Sequence, residues 1–151
     1  MAELTVQQRS QLQEAYEVCK YSYSPYSKFP VGACILLNSG EFITGTNVEN
    51  ASYPCGICAE RSALYSIPNH LKSAGIKSIA ICCFNQNLGQ LPSSPCGLCR
   101  QVLNEYEQNN NGSIQILLGH PHGKILYFEN CQTILPFSFN SKDLISIKNN
   151  L

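Results

Sequence analysis

Residues 53–65 read YPCGICAERSALY, a stretch in which a C-x-x-C pair leads directly into a predicted helix. A second C-x-x-C pair lies in SPCGLCRQV, at residues 94–102. Two such pairs are typical of a closed zinc site, in which four thiolates bind the metal and stabilise a fold. Three of the thiolates would also suffice for an open site, in which one coordination position stays free for chemistry. The residues that flank the pairs bear on the choice between these interpretations.

The composition predicts a small protein without a polyanionic partner. With 151 residues, the chain is interpreted as one domain over residues 1–151. Ten basic and ten acidic residues give no net charge, so electrostatics favour neither a nucleic-acid partner nor an anionic membrane surface. Charged residues make up 13% of the chain, about half the usual share of roughly 25%. Either sister subunits cover part of the surface or Ser, Asn and Gln replace charge, and we favour an oligomer.

The termini and the cysteine count indicate the compartment. The first residues, MAELTVQQRSQ, have neither the basic region nor the apolar region of a signal peptide. The longest apolar runs, ACILL and IAICCF, are too short to span a bilayer. Nine cysteines are an odd number and argue against a complete disulfide framework. We therefore expect a cytoplasmic protein with no membrane segment.

The hydrophobic pattern predicts the element order α-β-β-α-β-α-β-β-α. A helix over about residues 5–21 begins with a capping box of Thr5 and Gln8, and a hairpin of VGACILL and EFITGTNVE follows. The later elements are a helix over about 58–67, a strand over 78–84, a helix from 96, the strands SIQILL and KILYFE joined by the loop GHPHG, and a short helix near Asp143. The helix from 96 should bury Leu98, Val102, Leu103 and Tyr106. This order favours a mixed sheet of five strands with helices packed on it.

Both cysteine pairs precede helices, and that position matters for their chemistry. Cys96 and Cys99 stand three residues apart, so their thiols face one side of the first helical turn. Cys58 is likewise at a helix start, where backbone N–H groups favour the thiolate. Glu60 lies two residues further on, near enough to address a metal-bound water without binding the metal. A first-turn acid that only stabilises the helix is the alternative, but C-x-E combined with P-C-x-x-C is a zinc-deaminase signature, and we favour a catalytic Glu60.

Five segments carry a resemblance to a known family. They are CAER at 58–61, PCGLCRQV at 95–102, SPYSKFPVGACIL at 24–36, TNVENASYP at 46–54 and LPFSFNSKDL at 135–144. Together they resemble the small cytidine deaminases of the homotetrameric type with three cysteine ligands for zinc, over roughly residues 10–145. The resemblance implies the α/β fold of that family, a three-layer α/β/α arrangement around a mixed five-stranded sheet.

The resemblance implies a metal centre with one Zn²⁺ per subunit. It assigns the three zinc ligands, which are Cys58, Cys96 and Cys99. Glu60 matches the residue that transfers protons, and Arg61 matches a residue that bonds zinc-bound sulfur. Cys55 matches a position that does not bind zinc, so the first C-x-x-C pair would be incidental.

The resemblance also implies a nucleoside pocket that neighbouring subunits complete. Phe29 matches the aromatic residue that packs against the pyrimidine, and the backbone of Ala59 lies where the base edge is recognised. Asn47 and Glu49 match the pair that holds the ribose hydroxyls. Two aromatic residues match positions that approach the site of an adjoining subunit, namely Tyr53 and Phe139. The implied assembly is a homotetramer.

We predict the zinc-dependent hydrolytic deamination of cytidine and 2′-deoxycytidine to uridine and 2′-deoxyuridine, as in pyrimidine salvage. Two alternatives remain open: a deaminase of a modified cytosine nucleoside such as an antibiotic, and a structural four-cysteine zinc module without enzymatic activity. NVEN at residues 47–50 argues against the modified nucleoside, because Asn47 and Glu49 suit a free ribose. A polynucleotide-editing enzyme is disfavoured by the neutral charge.

Overall fold

Helices and strands follow one another in the predicted order throughout residues 4–85 and 87–148, which the computed structural model describes. Their bounds are Val6–Val18 (α1), Val31–Leu37 (β1), Phe42–Thr46 (β2), Ala59–Tyr65 (α2), Ile76–Cys83 (β3), Gly97–Gln108 (α3), Gln115–Gly119 (β4), Ile125–Phe128 (β5) and Ser141–Lys148 (α4). Among these residues, no helix has the length and apolar content needed to cross a membrane.

The strands form the mixed five-stranded sheet that the sequence predicts. Their order across the sheet is β2-β1-β3-β4-β5. The parallel pair is β3 and β4, and the other neighbouring strands are antiparallel. Two parallel neighbours need a crossover connection, and α3 lies in the segment that provides it. The predicted GHPHG loop joins β4 to β5 as a hairpin.

Helices cover both faces of the sheet, which confirms the three-layer arrangement. Side chains alternate along each strand, so Ile79 and Ile81 belong to the larger hydrophobic cluster with residues of α2 and α3. Ala80 and Cys82 belong to the second cluster, which includes residues of α1. The central strands are therefore buried on both faces, as the continuous apolar runs predict.

The first helix is fixed at its start and at its centre. The predicted capping box is present, with the backbone N–H of Gln8 3.2 Å from Thr5 Oγ1 and that of Thr5 2.9 Å from Gln8 Oε1. Gln11 is fully buried, and its Nε2 donates to the carbonyl oxygens of Cys34 and Ser78 at 2.8 and 3.1 Å. Its Oε1 accepts from the Ser78 hydroxyl at 2.7 Å, so this buried amide is paired on both sides and ties α1 to β1 and β3.

The strand register brings five chain segments to one edge of the sheet. Val31 at the start of β1 pairs with Cys83 at the end of β3, and Gly32 pairs with Thr46 at the end of β2. The helices α2 and α3 both begin close to this edge: Ala59 and Glu60 of α2 and Cys96, which precedes α3, line one cavity with Val31 and Cys83. Side chains from the 27–31 loop, the 47–49 segment and the two helix starts therefore meet there.

The packing of α3 differs from the prediction at one position. Leu103 is fully buried and Val102 and Tyr106 pack against the core, as expected. Leu98 is 66% exposed, so its predicted place on the buried face is wrong. Although Leu98 shares a helical spacing with Val102, it lies in the first turn at the sheet edge, where it lines a cavity.

Candidate functional site

Three thiols meet where α2 and α3 begin. Cys58 immediately precedes α2, Cys96 immediately precedes α3, and Cys99 lies in the first turn of α3. The sulfur atoms of Cys58 and Cys96 are 3.8 Å apart, and those of Cys96 and Cys99 are 3.5 Å apart. All three sulfur atoms lie within 4.8 Å of one another. The structure thus brings together the three cysteines that the sequence selects.

The spacing of these sulfur atoms fits a zinc ion. Tetrahedral coordination with Zn–S bonds of about 2.3 Å places each pair of sulfur ligands about 3.8 Å apart. Cys55 lies outside the group, on an exposed turn, so the four cysteines of the two C-x-x-C pairs do not form one cluster. Three thiolates that converge in this way leave one tetrahedral position for a non-protein ligand.

Arg61 supplies positive charge to the thiol group. Its guanidinium lies beside the thiols of Cys58 and Cys99. The contact with Cys99 and the charge of Arg61 lower the pKa of Cys58 to about 5, which favours the thiolate that metal binding requires. The Nε atom of Arg61 is buried and has no hydrogen-bond partner within the described parts of the chain.

Glu60 is a buried carboxyl group next to the thiols. Its side chain is only 4% exposed, and burial raises the pKa of the carboxyl above its ordinary value. It shares a cavity of about 380 Å³, called here the inner cavity, with Cys58 and Cys96. A carboxyl group that is buried beside a metal-binding group and open to a cavity is suited to move protons rather than to bind the metal.

The inner cavity gathers most of the predicted site residues of this chain. Its further lining residues include Phe29, Asn47, Glu49 and Ala59. A larger cavity of about 660 Å³, called here the outer cavity, adjoins it and is lined by Tyr53 and Arg61 among others. Asn47 and Glu49 border both cavities.

Asn47 has nearly all its hydrogen-bonding groups engaged within the protein. Its Oδ1 accepts from the Ser22 hydroxyl at 2.6 Å and from the Val31 N–H at 2.8 Å. Its Nδ2 donates to the carbonyl oxygen of Phe29 at 3.0 Å. Because an amide has two N–H donors, one remains for a ligand.

Glu49 is held by the backbone N–H groups of residues 26 and 27 and by the hydroxyl of Ser27. Its Oε2 accepts from the N–H groups of Tyr26 and Ser27 at 2.9 and 3.2 Å, and its Oε1 accepts from the Ser27 hydroxyl. The Ser27 hydroxyl is also the main reason that the pKa of the Glu49 carboxyl lies below its ordinary value. A carboxylate has about four acceptor positions, so one on Oε1 is left.

Phe139 is placed away from both cavities. Its side chain is 57% exposed, and its carbonyl oxygen accepts from the amides of Gln101 and Asn104 on α3 at 2.9 and 3.4 Å. Tyr53, which is 79% exposed, lines the outer cavity of its own chain. Their predicted contributions to a neighbouring subunit stay predictions.

Some residues of the inner cavity were not expected from the sequence. They are Ser27, Val31, Ile81, Cys83, Ser93 and Ser94. Cys83 is buried, as predicted, but it also forms part of the cavity wall. The alternation along β3 was the available signal, because it separates Cys83 from Cys82 and places it on the face of Ile79 and Ile81. No local pattern marks Ser27, whose position depends on the register of β1 and β2.

A mixed sheet that carries three convergent thiols and a buried glutamate at two helix starts defines a protein of the zinc-deaminase class. Residues 5–111 match the family described as the cytidine and deoxycytidylate deaminase zinc-binding region. The chain belongs to the cytidine deaminase family.

Individual relatives agree with this assignment. The chain is 36% identical to cytidine deaminase of Sporosarcina psychrophila over 87% of its length and 90% of the relative's. It is 34% identical to cytidine deaminase of Halalkalibacterium halodurans over 88% and 94% of the two chains. The crystal structure of cytidine deaminase from Burkholderia pseudomallei, at 32% identity, superposes with a TM-score of 0.73 over 90% of this chain and 100% of that chain.

Proposed function

We propose that this chain catalyses the zinc-dependent hydrolytic deamination of cytidine and 2′-deoxycytidine. The products are uridine or 2′-deoxyuridine and ammonia. The observation that carries the proposal is the group of three thiols beside buried Glu60 in the inner cavity. Relatives named cytidine deaminase, which align over most of the chain, support the substrate class.

The proposed metal centre holds one Zn²⁺ per subunit through Cys58, Cys96 and Cys99. When bound, zinc supplies a Lewis acid that lowers the pKa of a water molecule and so provides the nucleophile. The three thiolates carry three negative charges, one more than the 2+ charge of zinc balances. The guanidinium of Arg61 beside two of the sulfurs offsets this excess negative charge. The exposed position of Cys55 outside the group speaks against a closed four-cysteine module.

Glu60 is the proposed proton carrier. As a carboxylate it accepts a proton from the attacking water and delivers that proton to N3 of the pyrimidine. A bond forms between the water oxygen and C4 of the ring. Glu60 then moves the proton of the new C4 hydroxyl group to the exocyclic amino group, so that the bond from C4 to that nitrogen breaks, ammonia leaves and the C4 carbonyl of the product forms. The burial of Glu60 keeps bulk solvent away from these transfers.

The walls of the inner cavity suit a nucleoside. Phe29 offers an aromatic ring for the base, and the backbone of Ala59 offers polar groups for the base edge. Asn47 retains one donor and Glu49 retains one acceptor. A sugar hydroxyl can accept from the first and donate to the second, which fits an unmodified ribose or deoxyribose.

We further propose a single-domain subunit that assembles as a homotetramer in the cytoplasm and acts in pyrimidine salvage. Exposed apolar side chains near the outer cavity, which are Tyr26, Tyr53 and Leu98, support subunit contacts there. All nine cysteines lie within the described ranges and are free, which suits a reducing compartment.

Turnover of cytidine by the zinc-loaded protein tests the proposal. The ultraviolet absorbance change on conversion to uridine should follow enzyme concentration, and 2′-deoxycytidine should react as well. Absence of turnover with both nucleosides in fully zinc-loaded protein would reject the proposal. Turnover restricted to a bulky cytosine nucleoside would instead support an enzyme for modified nucleosides.

A further inference from the structure

Ser27 connects the two sides of the proposed nucleoside pocket. Its hydroxyl donates to Oε1 of Glu49 and accepts from the backbone N–H of Phe29 at 3.1 Å. Its own backbone N–H also donates to Oε2 of Glu49. One small side chain thereby links the carboxylate proposed to bind the sugar with the residue whose ring is proposed to pack against the base. Ser27 borders both the inner and the outer cavity.

The loop around Ser27 needs external support for its conformation. Lys28, the next residue, has a φ of 55°, a left-handed conformation that costs energy in a residue with a side chain. Its N–H donates to the Ser24 carbonyl at 3.1 Å, and Asn85 Nδ2 donates to its carbonyl at 3.3 Å. The bonds from the 26–27 backbone to Glu49 complete this support, so the loop and the carboxylate hold each other in place.

We propose that Ser27 is a positioning residue that orients Glu49 toward the sugar hydroxyl of the substrate. The inference rests on the proposed function. Three bonds occupy all but one acceptor position of the carboxylate, so the direction of the remaining lone pair is set by Ser27. Without the hydroxyl, Oε1 loses its hydrogen bond within the protein. The substrate must then order this oxygen when it binds, and the cost of that ordering lowers the affinity for the substrate.

The kinetics of Ser27→Ala test this role. We expect the KM for cytidine to rise about tenfold, because a hydrogen bond to a charged group is lost, while kcat changes less than about threefold. For 2′,3′-dideoxycytidine, which lacks both secondary hydroxyls, kcat/KM should change less than about twofold. Ser27→Thr keeps the hydroxyl and should restore most of the affinity for cytidine.

Ser39→Ala is the matched control. It removes a 2.7 Å bond from an exposed serine hydroxyl to a glutamate, Glu41, at the turn between β1 and β2. Its kinetics should equal those of the wild type. An equal loss of kcat/KM for cytidine and for the dideoxy substrate in Ser27→Ala would show a general structural role and overturn the inference, as would no loss at all.

A measurement without turnover separates this inference from the proposed function. Titration of the Glu49 carboxyl, followed by NMR in the zinc-loaded protein, should give a pKa below the ordinary range in the wild type and in Ser39→Ala. In Ser27→Ala this pKa should rise toward the ordinary value. An unchanged pKa would overturn the role of Ser27 even in an active enzyme, whereas inactive wild-type protein with the expected pKa rise would reject only the proposed function.

Discussion

Single side chains define the chemistry proposed for this chain. Spacing alone allows either three or four cysteines at the metal, because both C-x-x-C pairs have the same form. The sulfur positions separate the two cases, since Cys58, Cys96 and Cys99 converge while Cys55 is exposed on a turn. Glu60 has a distinct place, buried beside the thiols and open to the inner cavity. Substitution of Glu60 should therefore remove proton transfer without removing the metal.

Glu60→Gln should abolish turnover and keep zinc. The amide retains the size of the side chain but cannot accept a proton from water and pass it to the substrate, so kcat should fall by about 100- to 10,000-fold. Zinc content measured by mass spectrometry should stay at the wild-type level. Glu14→Gln, on the exposed side of α1, should leave both quantities unchanged. Loss of zinc from Glu60→Gln would mean that the carboxylate is a ligand.

Replacing the two cysteines of the first pair one at a time should give opposite results. Cys58→Ala removes one of three ligands, so we expect loss of both zinc and turnover. Cys55→Ala should keep the wild-type zinc content and a rate within about twofold of wild type, as expected for an exposed position outside the metal group. Loss of zinc from Cys55→Ala would instead favour the four-cysteine interpretation.

The elements place these side chains through close packing of α2 on β2. Ala59 and Ala63 are fully buried on one side of α2, and Gly45 of β2 lies directly beneath them. A Cβ at position 45 would lie 2.8 Å from the carbonyl oxygen of Ala59 and closer still to the backbone nitrogen of Ala63. The short distance between α2 and β2 therefore depends on Gly45. This distance also sets the position of the first turn of α2, which follows Cys58.

Gly45→Ala should destabilise the protein and weaken the metal site together. Overpacking of this kind costs about 1–3 kcal/mol in the free energy of unfolding, measured by denaturant titration. Displacement of α2 should also lower zinc affinity, measured by competition with a chelator. Gly97→Ala is the control, because no atom outside its own helix and chain neighbours lies within 4 Å of a Cβ there. Equal stability of Gly45→Ala and the wild type would refute the packing argument.

The elements were largely predictable, whereas some side-chain directions were not. Periodicity and capping predict the order of helices and strands, and the family resemblance of the flanking segments selects the three thiols. Leu98 was assigned to the wrong side because spacing along α3 does not reveal where the sheet ends. The roles of Cys83 and Ser27 depend on strand register and on a loop with left-handed backbone at Lys28, which no local pattern specifies.

At the scale of the whole molecule, we propose that neighbouring subunits share the site. Phe139 lines neither cavity of its own chain, although three polar contacts hold its segment against α3. An exposed aromatic ring on a fixed segment is suited to pack against another copy of the chain. The homotetramer would thus complete the nucleoside pocket rather than only add stability.

Mixing two impaired variants tests this sharing. Phe139→Ala should lower kcat/KM at least about tenfold, because an aromatic contact with the neighbouring site is lost. When Phe139→Ala and Glu60→Gln subunits are assembled together, some sites combine an intact Glu60 with a neighbour's intact Phe139. We expect activity above that of either variant alone. Mixed assemblies that form without any gain would contradict a shared site.

The most direct test of the central claim is a zinc titration of the metal-free protein, with uridine and ammonia measured in each sample. The three-thiol site and Glu60 predict no turnover without zinc, then turnover that rises in proportion to zinc and saturates at one ion per chain. Uridine and ammonia should form in equal amounts. Full turnover in the metal-free protein, or one bound zinc per chain with no product, would contradict the account.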